Sequence, residues 1–278
     1  VTGARALIAA LGGSSVAAGG VSATAALLAL GIVQGATEFL PISSSGHLVL
    51  FGEWLGLERQ EGSLAREVTL HLGTLVAVVA FCWRDLLAML GGRHRGLWLL
   101  SVLGTAVTVA LALGFSDLIE GAFEGTTSAG VGLLVTAFLL AVVAPQRDDR
   151  LRRGVGEIGW KDAVALGLFQ SLALLPGVSR MGATLVGALV LGFRRDQGVR
   201  MAFVLAIPAV LGAIVYEMGL KGTPMVLLDD GMAAATALAC LSGLLALKIV
   251  SLNVGPRALR GFAVYCLSLG VAGILSGL

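Results

Sequence analysis

The stretch Leu30-Gly31-Ile32-Val33-Gln34-Gly35-Ala36-Thr37-Glu38-Phe39-Leu40-Pro41-Ile42-Ser43-Ser44-Ser45-Gly46-His47 decides how this chain is read. Its flanks are apolar enough for a lipid bilayer, yet a carboxylate, a proline, three serines and a histidine interrupt it. Gln34 and Glu38 are spaced i, i+4 and share a helix face. Pro41 then stops that helix. The apolar piece 39–52 that follows has fourteen residues, short of the roughly 17–25 that a membrane crossing needs. It reads as one arm of a re-entrant hairpin, a shape tolerated only where protein or a water-filled cleft satisfies the exposed backbone.

A second stretch repeats the first. Leu166-Gly167-Leu168-Phe169-Gln170 matches Leu30 to Gln34, and Pro176 to Ser179 matches Pro41 to Ser44 as a Pro-x-x-Ser element. The offset is 136 at Gln34/Gln170 and 135 at Pro41/Pro176, close to half of 278 residues. The apolar piece 181–193 after it has thirteen residues. Such self-similarity marks an internal duplication. Charge-free runs at 68–83, 96–116, 125–146, 201–216, 231–247 and 261–278 give six further spans,. Each copy then holds one re-entrant hairpin and three crossings, and an odd number of crossings inverts the second copy. The predicted fold is an all-α polytopic membrane protein of two inverted repeats, 21–150 and 151–278, forming one membrane domain. Residues 1–20, Ala/Gly/Ser-rich with Arg5, faintly resemble a cleavable signal but are expected to be an N-terminal extension.

Composition agrees, at 57% hydrophobic and 13% charged against about 45–50% and 25% for a soluble domain. The formal charge of +2 excludes a nucleic-acid binder driven by electrostatics. Sorting the nineteen basic residues by loop puts fourteen on one side, four on the other and leaves Arg180 inside an interrupted segment. The positive-inside bias therefore predicts both termini outside. Asp117, Glu120, Glu124, Asp229 and Asp230 fall in the outward loops, and Trp54, Trp83, Trp98 and Trp160 near segment ends as interfacial anchors,. Cys82, Cys240 and Cys266 lie in apolar runs without metal or disulfide spacing and read as buried thiols,.

Glu38 and Arg180 are one ionisable residue per interrupted segment, where an unpaired charge is expensive and usually functional. The pseudo-twofold axis is expected to bring them together. The amide and carboxylate of Gln34 and Glu38 suit a metal or a proton. Ser43, Ser44, Ser45, Gly46 and His47 at the start of a returning helix suit an anion. The plain alternative is a serine-rich helix cap with His47 bonded to a neighbouring carbonyl. In Pro176-Gly177-Val178-Ser179-Arg180-Met181-Gly182-Ala183-Thr184, a guanidinium can grip a phosphate while helix-start amides and the Ser179 and Thr184 hydroxyls take its other oxygens. Arg180 as a purely structural partner of Glu38 is the alternative there. His71 reads either as a residue behind the site or as a core histidine bonded to a carbonyl, and His94 as a solvated loop residue.

These two motifs resemble those of the undecaprenyl-diphosphate phosphatase family of bacterial membrane enzymes, the bacitracin-resistance type. The similarity runs over roughly residues 21–278, including Glu67 to Thr74 and Phe203 to Gly212. It implies removal of the terminal phosphate of a C55 isoprenoid diphosphate, regenerating the carrier lipid of peptidoglycan assembly in the cytoplasmic membrane, at a site open to the outer face. Residue by residue, it implies functional roles for Gln34, Glu38, Ser44, His47 and Arg180, of which Glu38, Ser44, His47 and Arg180 are expected to be catalytic; the residues of the two motifs themselves suggest substrate contacts from Gln34, Ser43, Ser45, Ser179, Thr184, Gly177 and Gly182. A divalent cation, Mg²⁺ or Ca²⁺, is expected on Glu38 and Gln34, offsetting the two to three negative charges of a lipid diphosphate. Ser44 is the expected nucleophile with His47 as acid/base; attack by His47 itself, or by water, stays open. Many family members carry Glu at the position of Gln34 and Ser at that of Met181, so a charge and a hydroxyl are missing here. The expected partners are the polyprenyl diphosphate and the bilayer, without nucleic acid, and a homodimer is compatible with the sequence. The rival function is transport, because inverted repeats with broken helices also make lipid-phosphate flippases and anion carriers.

Overall fold

The computed structural model describes residues 23–54, 63–116, 125–146, 150–226, 230–252 and 254–277. Residues 1–20 and the acidic loop positions Asp117, Glu120, Glu124 and Asp229 lie outside them. The described residues form eleven helices: α1 Ala23–Phe39, α2 Ser44–Trp54, α3 Ser63–Phe81, α4 Trp83–Leu90, α5 Arg95–Gly114, α6 Gly125–Val143, α7 Trp160–Ser171, α8 Arg180–Val190, α9 Arg195–Leu220, α10 Asp230–Leu252 and α11 Pro256–Ser276. α5, α6, α9, α10 and α11 are long and apolar enough to cross a bilayer, and α3 with α4 makes a sixth candidate, bent by 66° at Cys82. All six predicted spans are thus helical. The run 201–216 lies within a longer helix that starts at Arg195. A scan for charge-free residues cuts it short because Asp196 and Arg200 occupy its first turns.

Helices α2 and α8 are eleven residues each, about 16 Å at 1.5 Å per residue, half of a 30 Å hydrocarbon core. Each follows a break, Leu40–Ser43 after α1 and Leu175–Ser179 after α7 with its short 3₁₀ turn Leu172–Leu174. α1 and α3 pack on α10, α7 on α5, α8 on α9, and α6 on α11. Small residues let these backbones approach, as expected where lipid removes the hydrophobic drive between helices. A Cβ at Gly31 would stand 2.2 Å from the Ala235 carbonyl oxygen, and one at Gly130 would stand 2.7 Å from that of Gly270. The largest apolar cluster closes over the end of α1, where Phe39 meets Phe203 edge-on at 6.2 Å and Phe203 meets Phe81 at 5.8 Å.

Basic residues gather at one end of the bundle. Arg153 binds Asp162 through two parallel hydrogen bonds of 2.9 and 2.7 Å and also donates to the Leu191 carbonyl. Arg195 reaches the Gln146 carbonyl at 2.7 Å. Arg200 pairs with Asp85, and its Nη2 donates to His94 Nε2 at 3.1 Å. His94 is therefore part of a pin between the α4–α5 turn and α9, not a solvated residue. Trp83, Trp98 and Trp160 are exposed at the same end, and Trp54 is exposed at the end of α2. The three cysteines are unpaired thiols, Cys82 and Cys266 buried and Cys240 half-buried.

The α1–α10 contact leaves no room at Gly35, where a Cβ would fall 2.1 Å from both the Ala239 carbonyl oxygen and Ser242 Oγ. Gly35→Ala is expected to lower stability by about 1–3 kcal/mol. Gly52→Ala, facing open space, should stay within about 0.5 kcal/mol. Thermal unfolding of the two variants in detergent checks the difference.

Candidate active site between the two helix breaks

The two breaks touch. A Cβ on Gly46 would lie 3.1 Å from the Gly177 Cα, and one on Gly182 would lie 3.5 Å from Pro41 Cβ. The Gly177 N–H approaches Ser45 Oγ at 3.4 Å. They meet at half the length of the spans: Gly35 sits against Ala239 and Ser242 in the middle of α10, and Gly132 against Pro176 in the middle of α6.

Both breaks turn through a left-handed residue, Ser43 at φ +71° and Gly177 at φ +83°. Both close with the same serine cap. Gly46 N–H donates to Ser43 Oγ at 3.3 Å and Gly182 N–H to Ser179 Oγ at 3.0 Å. Ser43 and Ser179, like Gly46 and Gly182, are 136 positions apart. In that register Ser44 corresponds to Arg180, and Glu38 to Leu174. The two breaks share this cap and differ in the chemistry they carry.

Glu38, one residue from the end of α1, is the hub. Its side chain is 3% exposed. Oε2 accepts from Gln34 Nε2 at 3.0 Å and from Ser44 Oγ at 2.5 Å, and His71 Nε2 lies 3.5 Å from it. Oε1 faces Arg180 Nη1 at 3.5 Å. That nitrogen, Gln34 Oε1 and Thr184 Oγ1 are buried without a hydrogen-bond partner. A buried donor or acceptor left unpaired costs about 1–3 kcal/mol, and these three offer themselves to a ligand. Carboxylate, amide oxygen and hydroxyl are hard donors of the kind that Mg²⁺ and Ca²⁺ take. The described residues hold no group of three His, Cys, Asp or Glu placed for a metal, so phosphate oxygens or water would complete its coordination.

Glu38, Gln34, Ser44 and Arg180 therefore meet, while Ser43, Ser45, Ser179, Gly177 and Gly182 build the two turns around them. His47 is different. Its Nδ1 bonds the Ser43 carbonyl at 2.6 Å, as the helix-cap alternative foresees, and its Nε2 bonds the Tyr265 hydroxyl at 2.8 Å. His71 satisfies both of its readings, with Nδ1 on the Glu67 carbonyl at 2.8 Å and Nε2 toward Glu38. Met181 is buried in the apolar cluster with Phe39 and Phe203, so the missing serine hydroxyl leaves a packed side chain. Two residues carry no sequence signal. Tyr265 is one tyrosine in the middle of the apolar helix α11, with no motif around it. Thr136 on α6 accepts from Ser179 N–H at 2.9 Å and donates to the Gly177 carbonyl at 3.0 Å, bracing the second break.

The family of the bacitracin resistance protein BacA matches residues 27–272. The chain belongs to that family. Among the similar proteins are undecaprenyl-diphosphatases: that of Rubrobacter xylanophilus is 39% identical over 256 residues, covering 85% of this chain and 92% of the relative. That of Thermomicrobium roseum is 38% identical over 270 residues, covering 88% and 95%. That of Halothermothrix orenii is 35% identical over 250 residues, covering 87% and 93%.

Removing the Thr136 hydroxyl leaves the Ser179 N–H and the Gly177 carbonyl without this partner in a buried position. Thr136→Val, nearly isosteric, is expected to lose about 1–3 kcal/mol of stability, read by denaturation in detergent. Thr136→Ser should retain most of it.

Proposed function

We propose that this chain is a membrane phosphatase that hydrolyses undecaprenyl diphosphate to undecaprenyl phosphate and inorganic phosphate, returning carrier lipid to peptidoglycan assembly. One observation carries the reading: a serine hydroxyl 2.5 Å from a buried carboxylate, with a guanidinium of unfilled hydrogen-bonding capacity across the break. The names of the BacA-family relatives supply the substrate.

In the proposed reaction the terminal phosphoryl group lies on Arg180, with Thr184 and the capped first turn of α8 taking its other oxygens. Ser44 Oγ attacks the terminal phosphorus while its proton passes to Glu38 Oε2. The bond from phosphorus to the bridging oxygen breaks, and undecaprenyl phosphate leaves. Water then adds to the phosphoserine phosphorus, the proton on Glu38 returns to Ser44 Oγ, one proton of the water is released, and inorganic phosphate departs. A divalent cation held by Glu38 and Gln34 Oε1 would supply Lewis-acid neutralisation of phosphate charge. A flippase has no use for a serine held so close to a base, which disfavours the transport alternative.

The proposal extends to the architecture. Residues 21–150 and 151–278 are inverted repeats, with α1–α2 and α7–α8 as re-entrant hairpins. Supporting this, the hairpin helix of each half packs on a span of the other, α1 on α10 and α7 on α5, and matched serines cap α2 and α8. The basic end faces the cytoplasm by the positive-inside bias, leaving both termini outside and the site open to the outer face of the bacterial inner membrane. Self-association as a homodimer is part of the same reading.

Glu38→Gln should reduce phosphate release from a long-chain isoprenoid diphosphate by about a thousandfold or more, and Ser44→Ala similarly, since residues that act as a unit fail together. Arg180→Lys keeps the charge and loses the planar donors, so kcat/KM should fall at least about tenfold. Chelation should suppress turnover, with Mg²⁺ or Ca²⁺ restoring it. Full activity of Glu38→Gln would overturn the assignment, and lipid phosphate moved across vesicle bilayers without phosphate release would decide for transport.

A further inference from the structure

His47 stands three residues after Ser44, 1% exposed, with both ring nitrogens engaged. The Ser43 carbonyl can only accept, so the imidazole proton sits on Nδ1 and is donated there. The Nε2 lone pair then accepts a hydrogen bond from the Tyr265 hydroxyl. The Tyr265 and Phe51 rings lie nearly parallel to the imidazole, at 14° and 7°, and limit its rotation. Neither nitrogen is left to receive the Ser44 proton, which already has an acceptor in Glu38 Oε2.

Ser43 is a non-glycine residue in the left-handed region, a conformation that lasts only where its surroundings over-determine it. Here they do. Its carbonyl is held by His47 Nδ1, its hydroxyl by the Gly46 N–H, and a hydroxyl–hydroxyl contact of 3.3 Å links it to Ser45. The turn it makes delivers Ser44 to Glu38. We infer that His47 and Tyr265 are positioning residues: the Ser43 carbonyl sets the imidazole tautomer, Tyr265 fixes the orientation of the ring through Nε2, the ring in turn holds the Ser43 carbonyl, and that turn aims the nucleophile. This assigns a role to Tyr265 and moves His47 from acid/base work to alignment.

The kinetic part rests on the phosphatase reading, and the spectroscopic part does not. On the full chain in detergent, ¹⁵N-histidine spectra should show the signal lost in His47→Asn as the Nδ1–H tautomer. With a long-chain isoprenoid diphosphate, Tyr265→Phe should lower kcat about tenfold while KM stays within about twofold, the signature of misalignment rather than lost binding. The Asn amide can reproduce the Nδ1–H donor without an imidazole's acid–base chemistry. His47→Asn should therefore keep at least about ten times the kcat of His47→Ala. An Nε2–H tautomer, wild-type kinetics in Tyr265→Phe, or a folded His47→Asn as inactive as His47→Ala would each overturn the inference. Should Tyr265→Phe fail to fold, the tautomer and the Asn/Ala comparison still decide it. If the wild-type chain releases no phosphate, the phosphatase reading fails by itself and the tautomer remains the test.

Discussion

A carboxylate at half the depth of a membrane domain has to be answered by the rest of the protein. Glu38 is answered by Arg180 on the other helix break, at a separation of 3.5 Å. The breaks must therefore meet, and their meeting sets the demands on everything near them. A Cβ at 46 or 182 would be tight where they touch, and glycine is needed at 132, where α6 admits the Pro176 carbonyl. The pair is not spent on itself, because Arg180 Nη1 makes no hydrogen bond in it. An ion pair that holds the breaks together while keeping donors in reserve can receive a third, anionic member without moving its frame.

The two halves share a scaffold but not a chemistry. Caps, breaks and eleven-residue helices are common to both, while the acid and the hydroxyl lie in one half and the cation in the other. Gln170 illustrates the divergence. It occupies the position of Gln34, yet its amide donates to Thr108 at 3.0 Å on α5, and no carboxylate stands four residues on. Neither half could form the site alone.

Much of this was legible in the sequence. Charge-free runs located every described span because a bilayer imposes one length and one composition. The repeated Gln-to-Ser motifs located the site because polar groups in apolar segments are rarely accidental. The meeting of Glu38 and Arg180 was to be expected from the repeated motif, with one charge in each interrupted segment. Tyr265 and Thr136 were illegible, since a tyrosine or threonine in a spanning helix has many uses and only packing selects one. His47 shows the same limit from the other side: its presence was clear, but the direction of its ring nitrogens depends on a residue 218 positions away. The start of α9 was misjudged for a simpler reason, that charges at a helix end look like loop until the headgroup region is considered.

The tryptophans at the basic end bear on where the site lies in the bilayer. Three of the four, Trp83, Trp98 and Trp160, are exposed at that end, beside the bend into α4. Such a belt ties one end of the molecule to one headgroup plane. Among the described tryptophans, only Trp54, at the end of α2, is exposed away from that belt. Changes in lipid thickness are then absorbed mostly on the side opposite the belt. Bilayer thickness thereby sets the distance from Arg180 to the opposite headgroup plane, so the acyl-chain length of the surrounding lipid bears on the depth of the site.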